Sequence, residues 1–208
     1  QPLKSHGGAL SQQGLKRVLD HLSLTLLAVL MACFVAIPLG FATSRNKKMA
    51  SFILGLTGML QTIPSIALLS FMIPFFGIGF QPALIGLLIY SLLPILQNTH
   101  IALKNIDPRL IQAGRGIGLA PLEIFFSVQW PLAFPNILGG IRTATTLNIG
   151  TATLAAFIGA GGLGEPIVSG LALNNTGLIL EGAIPAALLA IFVDLFFSLI
   201  EKKYKRGL

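Results

Sequence analysis

The chain has 208 residues, of which 54% are hydrophobic and only 10% charged, and its formal net charge is +7. A soluble domain carries roughly 25% charged residues, so this composition excludes an ordinary water-soluble fold and indicates one all-α integral membrane domain. A basic excess also suits nucleic acid, but here the cations sit at the ends of apolar runs, which is the positive-inside pattern and not a nucleic-acid surface.

Residues 1–20 are polar, with Gly7-Gly8 and Lys16-Arg17, and read as a tail leading into an interfacial helix. Residues 22–42 are uncharged and long enough to cross a bilayer at about 1.5 Å per residue. This run is too long for a signal-peptide core and lacks a clean cleavage site, so it reads as a retained span, although a chain opening on Gln1 is expected to be processed or trimmed. Its Cys33 is expected to be a small core residue; a lone cysteine builds neither a disulfide nor a cysteine metal site.

From Met49 to Leu103 there is no Asp, Glu, Lys or Arg. Gly77-Ile78-Gly79-Phe80-Gln81-Pro82 divides this stretch into spans at about 50–76 and 82–103. The first contains Gln61-Thr62-Ile63-Pro64-Ser65. Proline frees backbone carbonyls that lipid cannot satisfy, so this side should face protein or a water-filled path. Gln61, Thr62, Pro64 and Ser65 are therefore candidate pathway residues, with a simple packing kink as the alternative.

Residues 105–131 form the central loop. Asp107 is a candidate N-cap with Pro108 at the first helical position, which predicts a short helix from Pro108 to about Gly116. Ala113, Gly114, Gly116 and Gly118 should leave a bare face open to close approach by another protein; a flexible re-entrant connector is the plainer alternative. Pro121-Leu122-Glu123 should open a second short helix, ended by Pro131 and Pro135.

The fourth span, about 134–159, is the most polar. It carries Arg142, Thr143, Thr145, Thr146, Asn148, Thr151 and Thr153. Asn148 and Thr151 are candidate pathway residues, with interhelical hydrogen bonding as the alternative. A glycine-rich connection over 159–177 leads to the fifth span at about 179–200, and a basic tail follows at 202–208. Five spans place the termini on opposite sides. With the C-terminus inside, Arg45, Lys47, Lys48, Lys104, Arg109, Arg115, Lys202, Lys203, Lys205 and Arg206 are cytoplasmic, against Lys4, Lys16 and Arg17 outside. The bias sets the orientation: N-terminus outside, central loop and C-terminus in the cytoplasm. Arg142 and Asp194 then lie at a common depth and form a candidate intramembrane pair. The alternative has Arg142 snorkelling to headgroups while Asp194 meets water in the path.

Gly159-Ala160-Gly161-Gly162-Leu163-Gly164 satisfies GxGxxG, but it follows a membrane span and not a strand, which excludes a dinucleotide site. No phosphate-binding GxxxxGK[ST], no HExxH and no Cys/His ligand spacing occurs, so the expectation is no metal site, no catalytic residue and no cofactor on this chain. His21 and His100 read as interfacial caps. With one Trp and two Tyr, an aromatic cage for a quaternary ammonium is hard to assemble here.

The central loop has fixed offsets: Gln112-Ala113-Gly114, Gly118, and after nine residues Val128-Gln129-Trp130-Pro131. This spacing resembles the EAA loop of ABC-importer permeases. His21-Leu22-Ser23-Leu24-Thr25-Leu26, Ile37-Pro38-Leu39-Gly40, Gln61-Thr62-Ile63-Pro64-Ser65, Leu93-Pro94-Ile95-Leu96-Gln97-Asn98-Thr99 and Asn148-Ile149-Gly150-Thr151-Ala152-Thr153 resemble the osmoprotectant branch of type I importers. The resemblance covers about residues 20–201. It implies a bacterial cytoplasmic-membrane permease with five spans and a coupling helix between the third and fourth. Its partners would be a second permease copy or paralogue, two cytoplasmic ATPase subunits that hold ATP and magnesium, and an extracytoplasmic binding protein. Gln112, Ala113, Gly114, Gly118 and Pro131 would couple to the ATPase. The implied cargo is glycine betaine, choline or carnitine, with an ergothioneine or methionine importer, or a self-sufficient channel or secondary transporter, as alternatives. Gln112 stands where such loops usually carry Glu, which removes a charge from that contact.

Overall fold

A computed structural model describes residues 6–205, with side chains from Gln12 to Tyr204, so Lys4 and Arg206, and the side chain of Lys205, lie outside the described residues. The helices in chain order are α1 (His6–Arg45), α2 (Lys47–Thr62), α3 (Ser65–Phe76), α4 (Phe80–Lys104), α5 (Pro108–Gly116), α6 (Pro121–Ile124), α7 (Trp130–Leu154), α8 (Gly164–Ala172) and α9 (Thr176–Lys205). A π-helical turn at Phe125–Gln129 joins α6 to α7, and a 3-10 turn at Ala155–Ile158 ends α7.

Among the described residues, four helical stretches are long and apolar enough to cross a bilayer, and the pair α2–α3 makes a fifth if it is one span. That pair bends by 99° at its break, far more sharply than the kink expected within the span over 50–76. Ile63 (φ −67°, ψ 129°) and Pro64 (φ −54°, ψ 134°) are both extended, because proline drives the residue before it out of the helical region. The freed Ile63 carbonyl accepts from the Tyr90 hydroxyl, and Gln61 Nε2 donates to the Tyr90 carbonyl. The break is thus closed by protein groups, as a low-dielectric setting requires.

Three expectations are corrected. Residues 6–20 are not a tail before the first span but the first turns of α1, which runs unbroken to Arg45. Pro131 and Pro135 do not end a helix. Pro131 lies in the first turn of α7 and Pro135 within it, and the wide π turn ahead of Pro131 relieves the crowding that a proline ring imposes on the preceding turn. The connection 159–177 contains α8, and α9 continues through the basic residues as far as Lys205.

The core is α1, α4 and α7, drawn together by glycines at their crossings. A Cβ on Gly40 would lie 2.6 Å from Thr99 Cβ, and one on Gly140 would lie 2.8 Å from both Asn98 Cβ and the Pro94 carbonyl. Without a water-driven hydrophobic effect, such backbone approach is the main source of helix association. His21 and His100, expected as caps near span ends, are buried within this core. His21 Nε2 donates to the Ile149 carbonyl at 3.0 Å, and His100 Nδ1 lies 3.1 Å from Thr43 Oγ1; both residues are buried. Since the Thr43 hydroxyl donates to the Gly40 carbonyl, His100 is the donor in its bond. By contrast α9 buries little of itself: Leu188, Phe192, Leu195 and Leu199 are all exposed.

Candidate functional site: a projecting hairpin and a membrane groove

The hairpin α5–α6 follows from its residues one by one. Asp107 accepts from the Arg109 amide at 2.8 Å, and Pro108 occupies the first turn. The helix stops through two paired bonds, Leu119 N to the Gly114 carbonyl (3.1 Å) and Gly118 N to the Arg115 carbonyl (3.0 Å). This is a Schellman ending, whose residue after the cap must be left-handed. Gly118 has φ +86°. The loop glycine is therefore the stop of α5, with open space around it. The next helix starts on Pro121, where the Glu123 side chain accepts from the Ala120 amide at 2.7 Å.

The direction of the glycines differs from the bare face expected over Ala113, Gly114 and Gly118. Gly114 is buried, and a Cβ there would lie 3.3 Å from Ile124 Cγ1. It is small because α6 packs on it. On the far side of α5, Gln112 and Gly116 are one turn apart and so share a face, flanked by Arg109 and Ala113. All four are exposed, and nothing lies within 4 Å of a Cβ on Gly116. The outward surface of α5 is thus Arg109, Gln112, Ala113 and Gly116, of which Ala113 and Gly116 are small. Pro131 lies beyond the π turn, at the start of α7.

A second feature is an open groove of about 500 Å³ at the α2–α3 break. It is lined by Gln61, Thr62, Pro64, Ser65, Tyr90 and Thr151, among others. The bend therefore gathers these residues at one place, together with Tyr90, whose ring is the one aromatic among the described lining residues. Asn148 is not among them. It is fully buried and donates to Ser91 Oγ at 2.7 Å and to the Leu87 carbonyl at 3.2 Å, so it ties α7 to α4.

Arg142 grips Asp194 with two bonds, Nε to Oδ1 at 2.6 Å and Nη2 to Oδ2 at 2.7 Å. Its Nη1 also reaches Glu201 Oε2 at 3.4 Å. A planar guanidinium meeting a carboxylate edge-on forms the stronger kind of charge-assisted bond. Glu201 is a partner that the sequence reading missed. Its signal is spacing: it lies two turns after Asp194, on the same helix face.

The family described as the inner membrane component of binding-protein-dependent transport systems matches residues 28–206. The chain belongs to this family. Its relatives include a choline transport system permease protein, OpuBB, of Bacillus subtilis, 43% identical over 98% of this chain and 92% of that one. The glycine betaine/carnitine/choline permease OpuCB of the same organism is 44% identical over 97% and 91%. The osmoprotectant import permease OsmW of Salmonella typhimurium is 46% identical over 84% of each chain. Among solved structures, an inward-facing form of the methionine ABC transporter MetNI superposes with a TM-score of 0.82 at 22% identity, over 94% of this chain and 98% of that one; this is a likeness of fold. The protein is a transport subunit of the inner membrane and not an enzyme, and it works within a binding-protein-dependent transport system.

Proposed function

We propose that this chain is the permease subunit of an ATP-driven importer that carries a small osmoprotectant, such as glycine betaine, choline or carnitine, into the cytoplasm. The observation that carries the reading is identity above 40% over nearly the whole length to permeases named for those cargoes. The geometry supports it with a short capped helix whose exposed surface includes Gln112, Ala113 and Gly116. Two permease copies, or this chain with a close paralogue, pair with two cytoplasmic ATPases, which bind ATP and magnesium. The α5 surface at Gln112 and Gly116 seats in a cleft of each ATPase, while Gly114 and Gly118 shape the helix that docks. The N-terminus lies outside, and the hairpin and C-terminus in the cytoplasm.

ATPase closure moves α5, and α6 moves with it through the Gly114–Ile124 contact. The π turn passes the motion into α7, which carries Thr151 at the groove and Arg142 in its ion pair. Only states with different contacts are shifted by such a push, and the Arg142–Asp194 link between α7 and α9 is one contact able to differ. The groove holds a single aromatic ring, so cargo selection rests mainly on the binding protein. Exchanging the binding protein for a relative with a different ligand tests this: cargo preference should follow the exchange. Preference unchanged after a productive exchange would place selection in the spans.

A further inference from the structure

Two cavities meet at the basic end of α1, outside both the groove and the outward face of α5. The first, of about 510 Å³, lies between the ends of α1 and α4 and the inner side of the α5–α6 hairpin. Among the described residues, three cations line it, Arg45, Lys104 and Arg115, and no acidic residue does. The acidic side chains nearest in sequence are occupied as helix caps, Asp107 on Arg109 N and Glu123 on Ala120 N. Glu165 and Glu181 pair with Arg17, and Asp194 and Glu201 with Arg142, all away from this cavity's lining. Like charges converging on one space repel unless an anion joins them.

The second cavity, of about 370 Å³, adjoins the first and shares Phe41, Arg45 and Pro121 with it. Its remaining lining is apolar: Ile37, Pro38, Leu122, Phe125 and Phe126. The Arg45 guanidinium lies 4.0 Å above the Phe41 ring and marks the border between the cationic and apolar halves. From Arg45 to Ile37 the groove follows about 12 Å of α1 at 1.5 Å per residue, close to the depth of one leaflet of a hydrocarbon core about 30 Å thick.

We propose that the joined cavities hold one anionic phospholipid, its phosphate among Arg45, Lys104 and Arg115 and an acyl chain along Ile37, Phe41 and Phe126. The shape and charge select this occupant. A zwitterionic headgroup brings its own ammonium to the same three cations, and free inorganic phosphate leaves the apolar half unfilled. The lipid joins α1 and α4 to the hairpin, so the hairpin's seat in the membrane depends on bilayer composition.

The test is photolabelling of the purified full-length protein in phosphatidylcholine bilayers. The probes are phosphatidylglycerol and phosphatidylcholine, each with a diazirine on the acyl chain, and the labelled residues are mapped by mass spectrometry. Phosphatidylglycerol should label residues 37–41 and 122–126 in preference to phosphatidylcholine. Arg45→Gln and Arg115→Gln should each lower that labelling about fivefold, as expected for one basic residue at an anionic surface. Lys47→Gln with Lys48→Gln, which removes charge outside the cavity, should not. Leu122→Trp fills the apolar half without touching a cation and should also abolish the preference. Thermal unfolding verifies that each variant is folded. Equal labelling by the two lipids, or equal loss in the Lys47/Lys48 variant, would overturn the site. Displacement by millimolar inorganic phosphate would show a free-anion site instead. Loss of labelling when the ATPase is added would assign the cations to that subunit, against the proposal.

Discussion

The substitution Gly116→Leu separates docking from folding. Nothing lies within 4 Å of a Cβ at this position, so the larger side chain meets only open space in the isolated permease. Glycine is about 0.8–1 kcal/mol poorer than alanine inside a helix, and leucine is close to alanine. At the last residue of α5 only part of that gain applies, so the variant permease should be as stable as the parent or slightly more so. Against an ATPase cleft the same leucine overfills a packed contact, which typically costs about 1–3 kcal/mol, or a loss of affinity of roughly five- to hundredfold. Gly114→Leu should behave differently, since its side chain would strike Ile124 and a cost of about 1–3 kcal/mol would fall on the permease itself. The assay pairs thermal unfolding of the permease alone with ATPase association and ATP-driven uptake. Full association and full uptake by Gly116→Leu would refute the docking surface assigned to Gln112 and Gly116.

Gly118→Ala should destabilise the hairpin by roughly 1–2 kcal/mol, the cost of a left-handed conformation for an L-residue, although no neighbour blocks the methyl group; proteolysis of the hairpin measures it. Asn148→Ala strips a buried link between α7 and α4 and should cost about 0.5–2 kcal/mol of stability, the span of values for interhelical hydrogen bonds in membranes; the unfolding temperature reports it. Thr151→Ala, at the groove, should change uptake more than unfolding temperature. Arg142→Asp and Asp194→Arg should each impair insertion or transport, and the double variant should recover only in part, because the carboxylate introduced on α7 would then face Glu201. Adding Glu201→Gln should improve the recovery; additive defects without rescue would deny the coupling.

Local chemistry made the hairpin legible from sequence. Asp107-Pro108 starts a helix by capping alone, and α5 ends at Gly116 as that reading expects. Which way its glycines face was not legible, because the orientation of Gly114 is set by Ile124, ten residues away on another helix. The Gln61–Ser65 break signals a kink through Pro64, but neither its 99° angle nor the Tyr90 hydroxyl on the Ile63 carbonyl follows from the local sequence, since Tyr90 lies on another helix. That His21 is buried was not legible either, because its partner, the Ile149 carbonyl, lies 128 residues away on α7. Asn148 and Thr151 are both polar and three residues apart, yet one is sealed against Ser91 and the other lines the groove. Composition cannot divide them, since the division comes from the rotation of α7 against α4, set where Gly140 meets Pro94.

Reconstitution into liposomes, with this chain, its ATPase and its binding protein present together or singly omitted, decides whether the chain is part of an ATP-driven importer. Uptake of labelled glycine betaine, choline or carnitine should require ATP and all three components. Uptake of those compounds by this chain alone, driven by an ion gradient, would contradict the assignment as a permease subunit of an ATP-driven importer.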